Sequence, residues 1–137
     1  MANTDNKISF IADGAITEYA VVSLTAAGKV SVTTAATDNK VVGIAQRGCA
    51  AGESVEVVVH GITRAIIGDT DVAPTKPILS ATTAGKLQAC ESGDTTFFPI
   101  ARLIPNINQV SFADGDQCFV YFHGPSSLNA EGVSQDG

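Results

Sequence analysis

The sequence predicts a mainly β domain: a small barrel or sandwich built from two repeated strand units, with little helix. Three observations carry this. Val, Ile and Thr together number 38 against five Leu, and branching at the β-carbon restricts rotamers in a helix while packing well on a pleated surface. Thirteen glycines and five prolines punctuate the chain at short intervals, as many tight turns require. No stretch keeps a 3.6-residue apolar period for three turns. At 137 residues and 45% hydrophobic content the chain has room for one domain with a real core.

The elements follow in order. Residues 1–7 are polar and read as a flexible N-terminal arm. Ile8 to Ala12 (ISFIA) reads as a first strand closed by Asp13-Gly14. Tyr19 to Leu24 and Lys29 to Thr33 flank Thr25-Ala-Ala-Gly28, a hairpin whose glycine supplies positive φ. Val41 to Gln46 reads as a strand, and Ala50-Ala-Gly-Glu53 turns the chain into Ser54 to His60. Gly61 interrupts before Ile62 to Ile67, and Gly68 to Pro77 has the composition of a connector. The single domain is expected to span residues 8–124. After it, residues 125–137 are polar and glycine-bearing, the composition of a flexible C-terminal tail.

An internal repeat organises these elements. Ala27-Gly-Lys-Val30 recurs as Ala84-Gly-Lys-Leu87, and Ile44-Ala45 recurs as Ile100-Ala101. Ala51-Gly-Glu-Ser-Val-Glu-Val-Val-Val-His-Gly61 recurs as Asp114-Gly-Asp-Gln-Cys-Phe-Val-Tyr-Phe-His-Gly124. The repeated unit covers residues 22–61 and 79–124, and the second copy carries an extra loop within Leu103 to Ser111. Two such units, each unable to bury its apolar face alone, would pack together.

Side chains in a strand alternate between faces. Val55, Val57 and Val59 align with Cys118, Val120 and Phe122, apolar in both copies and therefore the core face. The other face is Ser54, Glu56, Val58 and His60 in the first copy but Gln117, Phe119, Tyr121 and His123 in the second. Phe119 and Tyr121 thus form an outward aromatic patch, covered either by a partner or by a loop or the arm of this chain.

Eight Lys and Arg against fourteen Asp and Glu give a net charge of −6, and no two cations are adjacent. Phosphate binding needs clustered cations, so no nucleic-acid partner is expected. The longest apolar run, Cys118 to Phe122, is far short of the roughly 18 residues of a spanning helix, so no membrane role is expected. The N-terminus lacks the apolar segment of a secretory signal. Three cysteines spaced 41 and 28 residues apart match neither a complete disulfide framework nor a zinc motif.

Catalytic signatures are missing from the pattern. There is no G-x-S-x-G, no phosphate-binding loop and no G-x-G-x-x-G. Cys118 and Cys90 read as strand residues, where cysteine acts as a small hydrophobe. A metal site would need His60 and His123 to converge with Glu53, Glu56, Asp114 or Asp116; duplication explains the paired histidines more simply. Asp69-Thr-Asp71 and Asp114-Gly-Asp116 resemble fragments of calcium loops but lack the full pattern and read as turns. The expectation is no enzyme, no metal and no cofactor.

From Thr37 to Gly61 the pattern Val-Gly-Ile-Ala, then Ala-Ala-Gly-Glu, then alternating valines ending in glycine resembles the capsid decoration, or cement, proteins of tailed phages. The hairpin Val21 to Val32 also fits, so the resemblance covers roughly residues 19–67. It implies a small β-rich body on the outer capsid surface of the virion, partnered with the major capsid protein and commonly a homotrimer. A polar arm with a strand-like end can add a strand to a neighbour's sheet, so Ile8, Phe10 and Ile11 are candidate contacts with the capsid or a sister subunit. The competing assignment makes Ile8 to Ala12 the first strand of this chain's own sheet. The functional expectation is therefore a structural virion protein that stabilises the assembled head. The alternative is a receptor- or glycan-binding domain of a phage fibre, for which Phe97, Phe98, Phe119 and Tyr121 are the available aromatics.

Overall fold

The computed structural model describes residues 6–90, 96–104 and 111–125. Ten strands run β1 (Lys7–Ile11), β2 (Val21–Leu24), β3 (Val30–Val32), β4 (Val41–Ala45), β5 (Ser54–Val58), β6 (Gly61–Ile66), β7 (Ile78–Ala81), β8 (Leu87–Ala89), β9 (Pro99–Ile104) and β10 (Gln117–Phe122). Among the described residues helix is confined to a single 3-10 turn at Thr83–Gly85. The strands form two five-stranded antiparallel sheets, ordered β1-β5-β4-β2-β3 and β6-β10-β9-β7-β8. Adding five to each strand of the first sheet gives the second.

The correspondence extends to irregularities that chance would not duplicate. The β2–β4 ladder shifts register between Val22 and Ser23, and the β7–β9 ladder shifts between Leu79 and Ser80. The β2–β3 turn closes with Thr25 N–H donating to the Lys29 carbonyl, and the β7–β8 turn with Thr82 N–H donating to that of Lys86. Gly28 and Gly85 hold matching φ of +79° and +72° there, where a Cβ would be strained. A lone parallel bridge, Ala12 to Val30, links the outer strands of the first sheet, and Ile67 to Leu87 does so in the second. One residue pair is not a strand pairing, so both sheets stay open. Of barrel and sandwich, the structure is a sandwich.

One alignment made on sequence alone changes. Val21 lies opposite Ile44 and Val22 opposite Gly43, whereas Ile78 lies opposite Arg102 and Leu79 opposite Ala101. Ile44-Ala45 therefore corresponds to Arg102-Leu103, not to Ile100-Ala101. The Ile-Ala dipeptide recurs two residues early because the residue bulged out of register in the second unit, Ile100, is the same type as Ile44. The extra residues of the second copy fall between β9 and β10, where residues 105–110 lie outside the described residues.

The cores show how the layers stack. In the first unit Ala12, Ile16, Ala20, Val22, Val30, Ala45, Val55 and Val57 form one buried cluster, capped by the segment between β1 and β2. The larger cluster gathers Leu79, Leu87, Leu103, Val120 and Phe122 from the second sheet. It also takes Val21, Val41 and Ile44 from the opposite face of the first sheet. The second unit thus closes its own core against the outer face of the first. At the seam, Gly85 N–H donates to the Thr33 carbonyl at 2.8 Å, and Gln46 Nε2 donates to Thr63 Oγ1 at 2.8 Å. A Cβ on Gly85 would press on Ala20 and Val32, so the close approach itself requires glycine there.

Candidate functional site

The N-terminal candidates fall in the chain's own sheet. β1 pairs antiparallel with β5, Lys7 opposite Val58 and Ile11 opposite Ser54, which makes it an edge strand. Lys7 opens β1, and the Asn6 carbonyl accepts a hydrogen bond from Val59 N–H. Residues 1–5, like the tail from 126 onward, lie outside the described residues. Alternation splits the three candidates. Phe10 packs on the first core cluster. Ile8 shares its side but sits at the exposed end, and Ile11 points to the other face, 43% exposed.

The second sheet carries the larger exposed apolar surface. On β10, Cys118, Val120 and Phe122 are buried and Phe119 and Tyr121 are not, as period-two alternation dictates. Tyr121 lies opposite Ile62 on β6 and Arg102 on β9; Phe119 lies opposite Arg64 and Ile104. These six side chains share one face. Ile62 is 66% exposed, Phe119 44% and Tyr121 37%.

Polar groups fix the aromatics. The Arg64 guanidinium sits 4.9 Å from the centroid of the Phe119 ring, a cation–π arrangement, and its Nη1 donates to Gln117 Oε1 at 3.4 Å. Tyr121 Oη and His60 Nε2 are 2.8 Å apart, with the rings edge to face at 5.2 Å. The His123 ring lies 6.4 Å from that of Tyr121, centroid to centroid. Both histidines of the chain therefore meet at one tyrosine. Burial lowers the His123 pKa below its usual 6.5; a backbone hydrogen bond at Gly124 opposes this and His60 lowers it further. Sequence reading placed the two histidines at equivalent strand ends but not together. The pairing of β6 with β10, which it did not specify, joins them.

Other sequence candidates separate. Among the described residues no group of three or more His, Cys, Asp or Glu gathers as a metal site would require. Asp69 and Asp116 each accept a backbone N–H inside their own turn, and Asp114 pairs with Lys86 Nζ at 2.9 Å. Cys90 lies one residue past β8 rather than on it. Burial pushes the Cys118 thiol up to about 12, which keeps it protonated and unreactive near neutrality. Phe98 packs against the larger core, and its N–H donates to the Ala36 carbonyl.

No protein-family model matches the chain, and no curated protein matches it. Among solved structures the chain is similar to the head fiber gp8.5 N base of bacteriophage phi29. The TM-score is 0.60 at 10% sequence identity, covering 88% of this chain and 97% of that one. The shared feature is the fold, which extends over nearly the whole of that base.

Proposed function

We propose that the chain is a structural protein of a phage head, carried on the virion and acting by binding rather than by chemistry. The observation that supports this most is the fold held in common with a phage head fiber base along almost its full length. The resemblance of residues 19–67 to decoration proteins points the same way from independent ground. In the finer form of the proposal the chain sits on the outer capsid surface, binds the major capsid protein and stabilises the assembled head. A cement protein stabilises only in so far as it binds the assembled shell more tightly than loose subunits. Many copies of modest affinity suffice on a repeating lattice.

The fibre reading gains from the same comparison, since the similar structure is the base of a fibre. Copy number separates the two. Quantitative mass spectrometry of purified virions should give a molar ratio to the major capsid protein near one for a decorating protein. A small fraction of that would select the fibre base, and absence from the particle would overturn the head assignment.

A further inference from the structure

The two units present the same face in different chemistry, and the difference bears on what covers it. In the first unit the outer face at Val21 and Ile44 is aliphatic, fully buried and covered by the second unit. The matching positions in the second unit are Ile78 and Arg102, and Val58 is matched by Tyr121. Glu56 is matched by Phe119, which lies beside Arg64. A dry aliphatic contact like the internal one would strand the Arg102 guanidinium without a counter-charge, which is costly.

The charge on this face runs against the rest of the molecule. In a chain of net charge −6, the outward positions of β6, β9 and β10 carry Arg64 and Arg102 and no carboxylate. Exposed Tyr, Phe and Arg around an apolar centre is the composition of interface hot spots. Fixing Arg64 over Phe119 and Tyr121 against His60 also reduces the side-chain entropy lost on docking. We propose that this face docks a protein surface bearing carboxylates around an apolar centre, Arg64 and Arg102 pairing with the acids and Phe119 and Ile62 filling the centre. The proposal rests on the head-protein reading, in which that surface belongs to the shell.

The test uses heads purified from a phage lacking this protein and the full chain added back. Wild type, Arg64→Glu/Arg102→Glu, Phe119→Ser and a control, Glu56→Lys on the first sheet, are compared by co-sedimentation at low and high salt. Circular dichroism melts confirm that each variant folds. The double reversal should weaken binding by more than roughly 30-fold, Phe119→Ser should weaken it comparably, and the control should bind as wild type. Wild-type binding should also fall with salt. If wild type binds heads and the double reversal binds equally well, the acidic-partner proposal is overturned while head binding stands. If wild type does not bind heads at all, the head reading fails and takes this proposal with it. Two further outcomes also overturn it: the reversal altering only the sedimentation coefficient of the free chain, which assigns the face to a second copy, or abolishing only retention on an anionic polysaccharide, which assigns it to a glycan.

Discussion

Two units of one topology make up this molecule, and they meet their surroundings differently. In the first, the segment after β1 caps one face of the sheet and the second unit covers the other over β2 and β4, while outward residues of β1 and β5 stay exposed. The second is buried on one face and presents aromatics and arginines on the other. Duplication thus supplies two copies of a surface. Head-to-tail packing uses one inside the chain and leaves the equivalent one exposed. Matched positions diverge accordingly, Val58 against Tyr121 and Ile44 against Arg102.

Paired substitutions at equivalent positions measure how far the two units differ. The largest effect is expected at Gly43, whose partner position in the second unit is Ala101. A Cβ on Gly43 would collide with the Val58 carbonyl and the Val57 side chain. Gly43→Ala should therefore cost about 3 kcal/mol or more in urea unfolding, whereas Ala101→Gly should cost only about 1. Equal costs would mean the units are packed alike. Close behind is Phe122, fully buried, against its counterpart Val59, half-buried. Phe122→Ala should lose about 3–5 kcal/mol and Val59→Ala about 1.

The third pair separates structure from binding. Val58→Ser places a hydroxyl at a buried position and should cost about 2 kcal/mol. Tyr121→Ser, at the matching exposed position, should change stability by less than about 1 kcal/mol while weakening attachment to heads. Near neutral pH the smallest effects are those of titration. The folded His123 holds its proton less well than the unfolded one, so stability is full above pH 6.5 and declines as pH falls through that value and below. His123→Gln should flatten the decline. Cys118 works in the opposite direction: its folded pKa of about 12 lies above the ordinary 9.0, so stability is lost as pH rises between those values, and Cys118→Ala should remove that limb.

Much of the fold was legible because strand chemistry is local. Alternating valines marked β5, and glycine placed the β2–β3 turn with its positive φ. The ends were less legible: Tyr19 was expected in a strand, but it holds φ of +65° ahead of β2, a turn conformation set by tertiary contact rather than by propensity. Inward and outward faces of β10 could be read from period two alone, hence Phe119 and Tyr121. Their neighbours could not. Arg64, Ile62 and Arg102 join the patch only through the cross-strand register, a pairing between segments far apart in sequence. The misalignment of Ile44-Ala45 has the same origin, since only the cross-strand partners of Val21 and Ile78 show which residues correspond.

In the proposed docking mode the open face of the second sheet, not the first, meets the partner. Hydroxyl-radical footprinting of the free and head-bound chain tests it most directly. Oxidation of Phe119 and Tyr121 should fall sharply on binding while Ile8, Ile11 and Leu24, exposed on the first sheet, stay unchanged. Protection confined to Ile8 and Ile11, with Phe119 and Tyr121 still reactive, would contradict it.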